Sequence, residues 1–294
     1  MKFGYMLLGV PLKYQSQVAQ RAEQRGFESA WVPEHLVMPE EMPDSYPYTA
    51  DGKPGITPKT PLFDPWVEIS FLAATTTKLR FGTAVSVLPL RHPLVTARAL
   101  VTLDRLSGGR VILGAGSGWL EAEYDAVGIP FKQRGKLMDE IIPLLRRLWT
   151  EEVISHHGPY YRFAPVRFEP KPVQKPCIPI EIGGHSPAAL RRVALLGDGW
   201  VEPGSPDIDA LAANIRAIHA MRREAGRAEL PFDVTVIANN IFNTPEDVRR
   251  AEELGITRIV VSPLNSPYSP LGTLKPEDYL DFVDRYADAV IDKV

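Results

Sequence analysis

One feature constrains this chain more than any other. Short apolar or β-branched runs alternate, almost from end to end, with longer segments of helical spacing. The short runs are Lys2–Leu8, Ser29–Pro33, Leu79–Leu88, Arg110–Ala115, Ile178–Ile182, Gly199–Glu202, Phe232–Ala238 and Ile256–Ser262. The helical patterns cover 15–25, 63–74, 93–106, 121–126 with 135–149, 187–196, 208–225, 245–254 and 276–291. Eight strand-then-helix units is the number that closes a parallel barrel, and near-continuous apolar strands suit a sheet covered by helices. A doubly wound sheet uses the same units but usually stops short of eight. The chain therefore reads as one (β/α)8 TIM-barrel domain over residues 1–294.

Helix boundaries agree with this reading. Ser186-Pro187, Thr244-Pro245 and Lys275-Pro276 place proline at a first helical position, where its missing N–H costs nothing. Gly26, Gly197 and Gly255 follow helix ends, where a left-handed residue is favoured. Two stretches are too long for ordinary connections: an irregular one near 36–61 after the second strand, and a hairpin-like one near 152–176 before the fifth. The first carries Met38, Tyr46 and Tyr48 and is expected to cover a pocket.

Composition narrows the function classes. A net charge of −3 gives no nucleic-acid footprint, and no apolar run reaches membrane-spanning length. The single cysteine, Cys177, excludes an internal disulfide framework and points to a reducing cytoplasm. The apolar N-terminus lacks a small-residue cleavage site and reads as a buried first strand rather than a signal segment.

In a parallel barrel the reacting groups come from the C-terminal ends of the strands. Those ends offer Glu34-His35, Thr83 to Ser86, Gly114 to Trp119, Gly183 to Ser186, and Glu202. The run Ile180–Ala188 leads a strand through two glycines to a Ser-Pro helix start. That suits a phosphate at the helix N-terminus, or equally a tight turn with a serine cap. The glycines of 114–118 either clear space for a flat ligand or relieve a crowded rim. They are not a dinucleotide fingerprint, because Trp119 stands where a third glycine is required. Imidazole is the side chain suited to acid/base work near neutral pH, which makes His35 the acid/base candidate; the alternative is a histidine that anchors the long loop. His92 reads as structural. His156-His157 lack metal partners nearby, the first strand holds no histidine, and a metal centre is not expected. No nucleophile elbow or Schiff-base lysine stands at a strand end, so the reactive group is expected to be an organic cofactor.

Several motifs resemble those of the luciferase-like flavin and deazaflavin oxidoreductases. They are ESAWVPEH (28–35), LRFGTAVSVLPLRHP (79–93), LDRLSGGRVILGAGSGW (103–119), Glu123-Tyr124 with GIPF (128–131), IPIEIGGHSPAALRRVALLGDGW (178–200) and GITRIVV (255–261). The resemblance covers nearly the whole chain in order. It implies a barrel that holds FMN or the deazaflavin coenzyme F420 over the strand ends, with a non-prolyl cis peptide at Ala84–Val85. Ring contacts would come from Glu34, His35, Thr83, Ala84 and Val85. Gly116, Ser117 and Gly118 would line the linker, and Gly183, Gly184, His185 and Ser186 would take the phosphate, with Glu123 and Tyr124 reaching the same side. An acid followed by histidine after the second strand is similar to deazaflavin-dependent dehydrogenases, which favours F420 over FMN. The sugar-phosphate members of that group differ at the positions of Pro39 and Trp119, so that substrate is not implied. The leading expectation is an F420-dependent oxidoreductase acting on a small organic molecule, with His35 catalytic. The alternatives are an FMN-dependent monooxygenase and a cofactor-binding protein without turnover; an NAD enzyme is disfavoured. The resemblance also implies a homodimer.

Overall fold

The computed structural model describes residues 1–294 apart from positions 50, 205–206, 239–240, 265 and 270–273. Its strands are β1 (Lys2–Met6), β2 (Ser29–Val32), β3 (Arg80–Thr83), β4 (Ser86–Val87), β5 (Val111–Gly116), β6 (Ile154–His157), β7 (Arg162–Val166), β8 (Ile180–Gly183), β9 (Gly199–Glu202), β10 (Asp233–Ala238) and β11 (Arg258–Val261). The helices are α1 (Leu12–Gln24), α2 (Pro65–Thr75), α3 (Pro93–Ser107), α4 (Glu121–Ala126), α5 (Arg134–Thr150), α6 (Pro187–Leu196), α7 (Ile208–Glu224), α8 (Pro245–Glu253) and α9 (Pro276–Ala289). The main sheet runs β3-β2-β1-β11-β10-β9-β8-β5, and pairing of β3 with β5 closes it into an eight-strand parallel barrel. No helix among the described residues is long and apolar enough to cross a membrane.

Three local departures from the sequence reading have physical causes. The third run, Leu79–Leu88, is broken after Thr83 and resumes at β4, where Ser86 and Val87 pair with Ala115 and Gly116. The Ala84–Val85 peptide at this break is cis, as the family resemblance implied. Helix α2 starts at Pro65 rather than residue 63, because Asp64 caps it by accepting from the Trp66 and Val67 amides. Gly197 is not left-handed: it is extended (φ −83°, ψ 153°). Its glycine identity answers crowding instead, since a Cβ there would lie 2.8 Å from the Val193 carbonyl oxygen. The long insertion forms an antiparallel hairpin of β6 and β7, whose turn is held by Glu140 of α5 accepting from the Tyr160 and Tyr161 amides.

The barrel interior is filled in layers. At its N-terminal end, Arg258 is fully buried and bonds Glu181 (2.7 Å), Thr235 (2.7 Å), Glu28 (3.0 Å) and Asp233 (3.3 Å). Burial lowers the pKa of Arg258, but Glu181 and Glu28 outweigh it and hold the guanidinium charged. Above this layer the indole of Trp31 packs with Met6, Ile112, Val201 and Val260. Gly82 faces that indole so closely that a Cβ would sit 2.5 Å from it. The bulk of one tryptophan is thus matched by absent side chains on its neighbours, as close packing requires.

Candidate active site

A cavity of about 1410 Å³ opens at the C-terminal ends of the strands. Its floor is the β3–β4 junction. The side chain of Val85 lies across the mouth against Gly116 and Gly183, where added Cβ atoms would approach it to 2.3 and 2.9 Å. Gly114 is tighter still, with a Cβ position 1.7 Å from the Thr83 carbonyl oxygen. The strand-end glycines therefore relieve a crowded rim, and they make room for protein before they make room for a ligand. Ala84, Val85, Gly116, Ser117 and Gly118 all line the cavity. Thr83 does not: it is buried, and its hydroxyl donates to the Gly114 carbonyl at 2.7 Å, which joins the two strands. In this position Thr83 supports the floor beneath Ala84 and Val85.

Glu34 and His35 leave β2 onto the cavity wall. Glu34 is 4% exposed; it accepts from the Val87 amide at 2.8 Å and pairs with Arg91, which also reaches Asp64 at 2.9 Å. Its carboxylate thus anchors β4 beside the cavity. His35 turns Nδ1 toward Glu123 of α4, 3.0 Å from Oε2, and its ring stands edge-on to Trp119. The Leu36 amide donates to the other Glu123 oxygen at 2.6 Å. Glu123 and Tyr124 are both fully buried and lie behind the wall rather than on it. The Tyr124 hydroxyl donates to the Ser117 carbonyl at 2.5 Å, and burial pushes its phenol well above the ordinary range, so the donor persists. From there Glu123 braces His35, and Tyr124 braces the Gly-rich segment.

Gly183, Gly184, His185 and Ser186 line the opposite wall. Gly184 has φ +104°, a conformation that favours glycine, and its carbonyl accepts from Trp200 Nε1 at 2.8 Å. Ser186 caps α6 by accepting from the Ala189 amide at 3.2 Å. Burial lowers the pKa of His185, which keeps its imidazole neutral near pH 7. Sequence reasoning passed over Arg134, the one arginine or lysine among the described lining residues. It opens α5, stacks over Phe131 and donates to the Phe131 carbonyl at 3.1 Å. A cation in a first helical turn opposes the helix dipole, and that unfavourable placement was the available signal.

The long loop covers this space. Tyr46 meets Trp119 edge-on at 5.1 Å, Tyr48 meets His185 at 4.8 Å, and the two tyrosines contact each other at 5.2 Å. An aromatic strap therefore crosses the mouth from the end of β5 to the end of β8. Burial first, and then Tyr46 and Glu202, push the Tyr48 phenol up to about 12. Met38 is on the same loop but outside the cavity wall. Glu202 also lies off the wall and accepts from the Gly204 amide at 2.6 Å. His92 caps α3, and His156 lies 2.8 Å from Glu140. No group of three or more metal-ligating side chains occurs among the described residues.

A closed parallel barrel with a roomy, glycine-walled mouth and one buttressed imidazole defines a barrel enzyme suited to a large organic cofactor. The chain belongs to the luciferase-like monooxygenase family, whose profile matches residues 1–272. It is 35% identical over 295 residues to an uncharacterized protein of Mycobacterium tuberculosis, with both chains covered completely. It is 30% identical over 240 residues to an F420-dependent glucose-6-phosphate dehydrogenase of Kineococcus radiotolerans, covering 80% of this chain and 65% of that one. An FMNH2-dependent dimethylsulfone monooxygenase of Pseudomonas putida is 32% identical over 182 residues, covering 60% and 49%. Among solved structures, the F420-dependent tetrahydromethanopterin reductase of Methanopyrus kandleri superposes with a TM-score of 0.74 at 18% identity, covering 99% and 98% of the two chains. The relatives thus include both F420-dependent and FMN-dependent oxidoreductases.

Proposed function

We propose that this protein is an F420-dependent oxidoreductase that moves a hydride between the deazaflavin and a small organic alcohol or carbonyl compound. The observation that carries this reading is His35 on the cavity wall, its Nδ1 committed to Glu123, so that Nε2 is the ring nitrogen left for a substrate. Interconverting an alcohol and a carbonyl needs a proton acceptor or donor beside the hydride site, and an imidazole can accept the proton or, as imidazolium, return it. The preference for F420 over FMN rests on the Glu34-His35 pair and on the greater extent of the F420-dependent relative's match.

The residues present fit such a cofactor. Ala84 and Val85 offer an apolar seat for a flat ring. Arg134 and the positive dipole end of α6 offer favourable charge to a phosphate. When bound, the deazaflavin supplies a two-electron hydride acceptor or donor. The protein's own part is to seat the ring, hold His35 toward the substrate oxygen whose proton it takes or returns, and exclude water beneath Tyr46 and Tyr48.

Titration of the purified protein with F420 and, separately, with FMN tests the reading through their fluorescence. Saturable F420 binding, followed by cofactor reduction with an alcohol from a broad panel, supports it. Tight FMN binding with no F420 binding overturns it.

A further inference from the structure

We infer that Glu123 is a positioning residue that sets the tautomer of His35, and so decides whether the nitrogen facing the cavity can accept a proton. Both carboxylate oxygens of Glu123 are committed: one accepts the Leu36 amide at 2.6 Å, and the other lies 3.0 Å from His35 Nδ1. The side chain is fully buried, so water does not compete for either oxygen. A carboxylate has acceptors only, which obliges Nδ1 to carry the hydrogen and leaves Nε2 with a bare lone pair. The acid comes from α4 and the histidine from the end of β2, 88 residues apart, so the pair exists only in the folded barrel.

The Leu36 amide makes this arrangement testable with one near-isosteric change. In Glu123→Gln the amide oxygen must turn toward Leu36 N–H, which has no acceptor of its own. The amide NH2 is then directed at His35 Nδ1. That nitrogen must become an acceptor, and the hydrogen moves to Nε2. The substitution therefore inverts the tautomer while leaving the ring in place.

The inference about the tautomer stands on these contacts; its kinetic consequence rests on the oxidoreductase reading. Two-bond proton–nitrogen correlation spectra of histidine-labelled protein, taken where the ring is neutral and assigned with His35→Asn, read the tautomer without any cofactor. The expected result is Nδ1–H in the parent protein and Nε2–H in Glu123→Gln. An Nε2–H ring in the parent, or an unchanged pattern in the variant, overturns the inference. Should Glu123→Gln fail to fold, the parent spectrum still decides. With F420 and a turned-over alcohol, Glu123→Gln should lower kcat by about 10²–10⁴-fold with F420 affinity unchanged. An inverted tautomer with undiminished turnover upholds the control of the tautomer by Glu123 and removes His35 as the base. An Nδ1–H parent with no F420 turnover overturns the functional reading alone.

Discussion

Val85 occupies the space that a side chain on Gly116 would need: a Cβ on the glycine would lie 2.3 Å from Val85 Cγ2. Gly116→Ala should therefore displace Val85 and destabilise the fold by about 1–3 kcal/mol, the usual range for overpacking. Trimming Val85 to alanine in the same chain should recover part of that loss, giving a coupling above roughly 0.5 kcal/mol in a double-mutant cycle. Urea denaturation of the four proteins measures it, and strict additivity would show that the two positions do not compete for space.

His35 lies on the cavity wall but not on the side proposed for the phosphate. His35→Ala is expected to retain F420 affinity while losing about 10²–10⁴-fold in kcat, the contribution of a positioned acid or base. Stopped-flow reduction and equilibrium titration separate the two quantities. Equal losses in affinity and rate would instead make His35 a ring contact.

Arg134 brings its positive charge to the cavity wall from the first turn of α5. Losing a charge-assisted bond to phosphate costs about 1.5–3 kcal/mol, so Arg134→Ala should weaken cofactor binding on the order of tenfold to a hundredfold. Arg134→Lys should recover only part of it, because an ammonium lacks the planar fork. Titration at low and raised salt checks this, and an unchanged Kd in the alanine variant would remove Arg134 from the site.

The charge layer under the barrel predicts an acid response. Burial raises the Glu28 and Asp233 carboxyls, but Arg258 outweighs it and leaves both below their ordinary values. Their contribution is therefore present above the unfolded values near pH 4 and lost as pH falls through the folded ones. Glu181 works in the opposite sense, since burial holds its pKa above the ordinary value despite Arg258, and stability is lost as it ionises. Removing Arg258 with methionine should cost about 3–5 kcal/mol at neutral pH by stranding Glu181. The sign of the pH dependence should also reverse: between about pH 3 and 6 the parent gains stability as pH rises, while Arg258→Met loses it. Thermal midpoints across that range decide the matter, and parallel slopes would contradict it.

Local signals account for what could be read before the structure. Ser186-Pro187 marks α6 so strongly that its expected and observed bounds coincide at Pro187–Leu196. The strand count, and with it the placement of Glu34, His35 and the glycines at one end, follows from hydrophobic spacing alone. The break inside Leu79–Leu88 was not legible from that spacing, because every residue there is as compatible with a continuous strand. Nor was the pairing of Glu123 with His35, or of Tyr46 with Trp119, since each joins segments far apart in the chain. Gly197 shows the same limit at a single position: a glycine after a helix can answer a left-handed turn or a crowded neighbour, and only packing tells which.

The tyrosine strap has a consequence for the order of events. It is held at both ends, by Trp119 on one side and His185 on the other, above the path from Val85 to Ser186. A long ligand threaded along that path cannot depart until both ring contacts part. A smaller one that does not extend beneath the strap needs neither to move. Residence times should therefore separate: the larger molecule stays through many visits of the smaller, and steady-state kinetics should show a compulsory sequence with the larger one first on and last off.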